Sequence, residues 1–324
     1  MKILIASSID ADAIERLKEH HKVVCAFRDV TEEMLRMLIS DCEVIVFRSG
    51  VEISAQLMEC APDLKLLVRA GSGLDNLDFE YVQQRGLKLV RIPQPGARAV
   101  AEMAIAFMLA LSRHLLEADC SMREGRWAKH ELTGYLLYGK TLGIVGVGNI
   151  GSCVADTGIA LGMNVVGCVE HPTPERVQEF RAKGVRILEL EQMLAEVDYL
   201  SVHVPLKENT RSLIHAAQFA RMKPDSYLIN LARGGVVDER ALHEALVDGG
   251  RLRGAALDVH EQEWEGRRSP LAKMSNVILT PHIGSMTVDT QREIGRRVVE
   301  AVSSFAALKS FPAFSEHVVQ AFPG

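Results

Sequence analysis

Three side chains suited to chemistry, Arg233, Glu263 and His282, each follow a short apolar, β-prone run: Ser226 to Leu231, Gly254 to Val259 and Asn276 to Thr280. In an open parallel sheet, the carboxyl ends of the strands border the crevice where ligands bind. A guanidinium placed there grips an oxyanion through a two-pronged fork, and an imidazole gives or takes a proton near neutral pH. A carboxylate nearby can orient that imidazole. Taken singly, each residue reads equally well as a solvated surface group or a turn-filling histidine. The repeated placement at three strand ends sets them apart.

The segment Gly139 to Gly151, GKTLGIVGVGNIG, carries a different chemistry. Thr141 to Val145 is β-prone, and Ile150, Cys153, Val154, Ile159 and Leu161 fall on one face of a following helix. Between them Gly146 permits a tight turn, Gly148 lets backbone approach a pyrophosphate, and Gly151 lets the helix pack closely on the strand. Free N–H groups of the helix, which Asn149 and Ile150 open, then face the phosphates. A second strand, Asn164 to Val169, leads to Glu170, about 20 residues beyond the glycines, where a carboxylate would hold the adenosine ribose.

The elements that must position these groups form two alternating series. Lys2 to Ala6, Val23 to Phe27, Val44 to Phe47, Leu64 to Val68 and Leu87 to Ile92 are strands of a first parallel α/β domain. The run Ile92-Pro93-Gln94-Pro95-Gly96 predicts a hinge, and Ala99 to Leu116 a long apolar helix. After the glycine loop the alternation resumes through Tyr199 to Val204 and the three runs named first. A lone helix, Asp289 to Lys309, cannot make its own core and is expected to return to the first domain. Residues 1–98 with 287–324 therefore make one discontinuous substrate domain, and 99–286 a dinucleotide domain, with a cleft between the two parallel-sheet domains.

A formal net charge of -5 and no dense Lys/Arg run argue against a nucleic-acid partner. The N-terminus reads as a buried strand, not a signal peptide, and the apolar run Met103 to Leu111 is too short for a bilayer. These features predict a cytoplasmic protein with a small-molecule partner and no membrane association. The six cysteines lack any CxxC pair and read as reduced core residues. His260-Glu261 fails the HExxH pattern, which needs a second histidine where Trp264 stands, so no metal is expected. Gly71-Ser72-Gly73 lacks the spacing of a nucleophile elbow.

Across nearly its whole length the chain resembles the D-isomer-specific 2-hydroxyacid dehydrogenases. The matching segments are RAGSGLDNLD, GKTLGIVGVGNIG, SVHVPLKENT, INLARGGVVDE, GAALDVHEQE and LTPHIG. The resemblance implies a catalytic Arg233, Glu263 and His282, with His282 as acid and base, Glu263 orienting it and Arg233 binding the substrate carboxylate. It implies Ser72 and Gly73 as further carboxylate contacts and Arg48, in VFRSG, as a substrate contact. It also assigns His203 and Pro205 of the HxP segment, with Ala232 and Asp258, to the cofactor site. His260 receives no role from it. The implied reaction interconverts a D-2-hydroxy acid and its 2-oxo acid with NAD, in a homodimer joined through the cofactor domain, where Trp127 and Tyr135 to Tyr138 are candidates for the interface.

The sequence departs from the family pattern in three places. Val169 stands where the ribose-binding acid is expected and Glu170 one place later; its charge would repel an added phosphate, favouring NAD over NADP. Trp264 replaces a proline, and Gly96-Ala97-Arg98 lacks a common asparagine. Two other functions are compatible with the resemblance: a phosphite-type dehydrogenase on the same fold, and a dinucleotide-sensing scaffold like the C-terminal-binding-protein corepressors.

Overall fold

The computed structural model describes residues 1–26, 30–71, 73–247, 249–263 and 265–309. It divides into two compact units, Met1–Gly96 with Met286–Gly324, and Ala97–Ser285. Both are doubly wound α/β folds with all-parallel sheets.

The first unit alternates β1 (Lys2–Ile5), α1 (Ala11–Lys18), β2 (Lys22–Cys25), α2 (Glu32–Ile39), β3 (Val44–Phe47), α3 (Ala55–Glu59), β4 (Leu66–Arg69), α4 (Phe79–Gln84) and β5 (Lys88–Arg91). Asp10, Thr31, Ser54 and Asp78 start the four helices, each side chain accepting a backbone N–H of the first turn. Strand order is β2-β1-β3-β4-β5. Alternation along β1 shows why the sheet needs two covers: Ile3 and Ile5 enter one apolar core, Leu4 the other. The order reverses between β1 and β3, and the loops there are joined by the Arg48 N–H donating to Ser7 Oγ at 2.9 Å.

The long helix differs from the sequence reading. α5 (Gln94–Ser112) begins five residues earlier, because Pro95 lies in its first turn, where no intrahelical N–H bond is lost. Its 19 residues are long and apolar enough to cross a membrane by length and composition, but half of them are buried within the fold, as in a core helix. Val100, Ala104, Phe107, Met108 and Leu111 pack against strand residues such as Leu142 and Tyr227. The chain leaves α5 through His114, in the left-handed region at φ 53, and resumes as α6 (Leu115–Arg123).

The second unit continues with β6 (Thr141–Val145), α7 (Asn149–Ala160), β7 (Asn164–Cys168), α8 (Pro174–Ala182), β8 (Val185–Ile187), α9 (Leu190–Glu196), β9 (Tyr199–Val202), α10 (Ala216–Arg221), β10 (Ser226–Asn230), α11 (Glu239–Leu246), β11 (Leu252–Leu257) and β12 (Val277–Leu279). β8, an edge strand carrying an exposed arginine, escaped the sequence reading. The order β12-β11-β10-β9-β6-β7-β8 reverses between β9 and β6, which puts the glycine turn at the switch point. α12 (Val288–Lys309) belongs to the first unit and packs on α1; a Cβ on Gly295 would lie 2.8 Å from Ala13 Cβ.

Of the six unpaired cysteines only Cys42 is buried, and Cys25 and Cys120 are exposed. Cys60, Cys153 and Cys168 pack partly buried against the cores, so the reading as core groups is corrected for Cys25 and Cys120, whose apolar neighbours in sequence do not bury a residue on an edge strand or an outer helix face.

Candidate active site

Strands β10, β11 and β12 are neighbours, so their following loops bring Arg233, Glu263 and His282 to one edge of one sheet. His282 Nδ1 lies 3.0 Å from Glu263 Oε2, with both side chains about one-third exposed. Burial acts to raise the Glu263 pKa, but the hydrogen bond and charge of His282, with His260 behind it, outweigh burial and hold the carboxyl below its ordinary value. An ionised carboxylate therefore faces the imidazole. Arg233 Nη1 donates to Ala232 O at 2.7 Å, which sets the guanidinium against its own loop. Asn230 closes that loop, accepting Ala232 N–H at 3.0 Å and donating to Arg233 O at 3.2 Å.

His282 occupies the left-handed region, φ 56, uncommon for a residue with a side chain. Asp258 holds it there. The Asp258 carbonyl accepts His282 N–H at 2.8 Å, Oδ1 accepts the Thr280 hydroxyl and Ile283 N–H, and Oδ2 accepts Gly284 N–H at 2.7 Å. Such strain persists where surrounding bonds over-determine it, and it marks functional turns. The buried Asp258 carboxylate thus accepts three donors of the His282 turn.

A second brace was missed. Buried Glu239, first residue of α11, accepts Glu261 N–H at 2.7 Å, while Glu261 accepts Glu239 N–H at 3.0 Å. This exchange ties the loop that carries Glu263 to a helix N-terminus, where carboxylates are favoured. Nothing in DERAL or HEQE distinguishes these two glutamates from surface residues.

Around the glycine turn, Gly146 has φ 91, and a Cβ there would stand 2.7 Å from Val204 Cγ1 and 3.0 Å from the His203 carbonyl. Gly151 is tighter still, 2.2 Å from Gly146 O. Gly148 is the opposite case: a Cβ would meet nothing within 4 Å. That open space lies at the N-terminus of α7, which has no side-chain cap and begins with Asn149, exposed, and Ile150. Uncapped N–H groups beside room for a ligand fit a pyrophosphate.

His203 follows β9, its Nε2 2.8 Å from Ser201 Oγ. Although an edge of the residue reaches the surface, Nδ1 is buried without a partner among the described residues, and burial pushes the ring down to about 3. Pro205 O accepts the Thr210 hydroxyl at 2.6 Å, fixing that loop, and Ala232 is buried. Val169 packs on the core, so Glu170 is the first polar side chain beyond β7; its Oε1 accepts Asn209 Nδ2 at 2.6 Å and its Oε2 lies 4.0 Å from Lys207 Nζ.

In the first unit, Arg48 donates through Nη1 to Gln291 of α12, and burial lowers its pKa. Gly73 O accepts Arg69 Nε at 2.7 Å; Arg69 is itself buried, with its guanidinium over the Phe47 ring. Asn76 holds the neighbouring loop by donating to Arg48 O at 2.8 Å. Ser72 and Trp264 lie outside the described residues.

Residues 105–284 match a family model described as D-isomer specific 2-hydroxyacid dehydrogenase, NAD binding domain. A hydroxypyruvate reductase of Thermotoga maritima is 36% identical over 303 residues, covering 93% of this chain and 97% of the relative. A D-3-phosphoglycerate dehydrogenase of Methanocaldococcus jannaschii is 38% identical, and there the match spans 93% of this chain but 57% of the relative. Among solved structures, the D-lactate dehydrogenase of Aquifex aeolicus, complexed with NAD and lactic acid, superposes with a TM-score of 0.82 at 28% identity, covering 96% of each chain.

Proposed function

The chain belongs to the D-isomer-specific 2-hydroxyacid dehydrogenase family, and from that premise we propose that it interconverts a D-2-hydroxy acid and its 2-oxo acid with NAD, His282 carrying the proton. The observation that carries the reading is the 3.0 Å pairing of His282 Nδ1 with Glu263 at the ends of adjacent strands. With Nδ1 turned to the carboxylate, Nε2 is the ring nitrogen left to protonate a carbonyl oxygen or to take the proton of a hydroxyl. Glu263 favours the imidazolium, the form needed for reduction. Arg233 binds the substrate carboxylate and draws electron density from the carbonyl, a task suited to a planar fork.

The α7 N-terminus and the space at Gly148 would hold the pyrophosphate, and Glu170, steadied by Asn209 and Lys207, the adenosine ribose. When bound, NADH supplies the hydride that the carbonyl carbon receives. A homodimer through the second unit is part of this proposal, with Trp127, Leu136 and Tyr138, which are 78%, 68% and 74% exposed, as candidates for its interface.

Absorbance of NADH with a panel of 2-oxo acids, repeated with NADPH, tests the reading. Turnover of at least one acid to its D-hydroxy product is expected. Tight NADH binding without turnover of any acid would point instead to a sensing scaffold.

A further inference from the structure

We propose that His260 is a positioning residue that couples the three loops carrying Arg233, Glu263 and His282, and thereby fixes the separation of the carboxylate and the imidazole. The inference rests on the reading of His282 as the proton carrier. Three contacts support it. The His260 backbone N–H donates to Glu263 Oε1 at 3.3 Å, holding the carboxylate oxygen that His282 does not take. Its ring Nε2 lies 2.9 Å from the carbonyl oxygen of Thr280, two residues before His282. A carbonyl only accepts, so Nε2 carries the hydrogen. Its own carbonyl abuts Gly234, next to Arg233, so closely that a Cβ on that glycine would stand 1.8 Å away.

One residue of the loop after β11 therefore touches the loops after β10 and β12. Nδ1 is buried without a partner among the described residues, which leaves the Nε2 bond to Thr280 as the ring's one directed interaction. That bond spans the gap between the backbone bearing Glu263 and the backbone bearing His282. Without it, the His282 turn is still held to β11 by Asp258, and the Glu263 loop is still tied to α11 by the exchange of Glu239 and Glu261, but the ring no longer joins the two loops. A shift of the carboxylate by a fraction of an ångström weakens a charge-assisted bond, and with it the support for the imidazolium.

Replacing His260 with leucine removes the N–H but keeps bulk, whereas His260→Gln keeps a side-chain N–H for the Thr280 carbonyl. Titration of His282 by NMR in nitrogen-15 histidine-labelled, substrate-free protein reads the pair directly. The charged and titratable groups on the surrounding elements are Glu263, Asp258, Arg233, Glu239 and Glu261, and all stay in place. His260→Leu is expected to lower the His282 titration midpoint and to cut kcat by about tenfold, with NADH affinity within about twofold. His260→Gln is expected to recover most of both. Unchanged His282 titration and kcat in His260→Leu, even with a lower melting temperature, would overturn the inference, as would a His260→Gln enzyme equally impaired. Should the leucine variant not fold, His260→Asn, too short to reach Thr280, carries the same test. If His282→Gln itself leaves reduction intact, the reading of His282 fails; the NMR titration still reports whether His260 governs the pair.

Discussion

Two histidines close strands of the same sheet, His203 after β9 and His282 after β12, and their surroundings give them opposite properties. His203 has a serine hydroxyl at one nitrogen, no partner among the described residues at the other, and burial that pushes its pKa to about 3. His282 has an ionised carboxylate 3.0 Å away and a side chain about one-third exposed. Strand-end position brings a histidine to the crevice. Whether it handles protons is decided by a paired carboxylate and by water, because a ring held neutral across the working pH range can shape a pocket but cannot deliver a proton.

The largest effect expected from this contrast is on rate. His282→Gln should lower 2-oxo acid reduction by roughly 10³-fold, within the usual span for loss of a general acid, with NADH affinity by fluorescence titration little changed. His203→Gln should act on NADH affinity and leave the pH profile of kcat/KM in place. A reversed pattern, with the pH profile following His203, would assign the proton to that ring instead.

Next in size is Glu263→Gln. Removing the charge that favours the imidazolium should move the alkaline limb of the reduction profile to lower pH and cut kcat/KM at neutral pH by about tenfold or more. An unmoved limb would mean that Glu263 orients the ring without tuning it. Arg233→Lys sharpens the same site from the substrate side: KM for the 2-oxo acid should rise and kcat fall together, because a point charge does not replace a fork.

The same physics decides how far the site was legible in the sequence. The strand-loop chemistry was readable because parallel strands buried on both faces are apolar runs, and topology fixes where the loops after them emerge. Arg233, Glu263 and His282 could thus be placed at strand ends from their positions in the chain, while the adjacency of those strands came from the sheet order. The bonds that brace them could not be read. Glu239, Glu261 and His260 act through backbone groups that sequence spacing does not display. The start of α5 was misplaced for a related reason: proline reads as a break unless its position in the first turn is known.

The smaller predictions concern stability at His203. Its folded-state pKa, about 3, lies below the unfolded value of 6.5, so between those values the unfolded chain binds more protons than the folded one. The stability that its uncharged burial contributes is therefore fully present above about pH 6.5 and is lost as pH falls, by about 1.4 kcal/mol per unit, down to about 3. His203→Gln should flatten that part of the pH dependence of the melting temperature; an identical slope would mean that the ring is not desolvated. Ser201→Ala probes the remaining bond. Removing the hydroxyl 2.8 Å from Nε2 leaves both ring nitrogens without protein partners among the described residues, which should destabilise by about 1 kcal/mol at pH 7. Because neither nitrogen then has a directed bond, the ring is also expected to lose its fixed orientation, seen as exchange broadening of the His203 resonances while those of His282 stay sharp. Equal broadening at both rings would show that the two strand ends are mechanically linked, and that the division drawn between them is too strong.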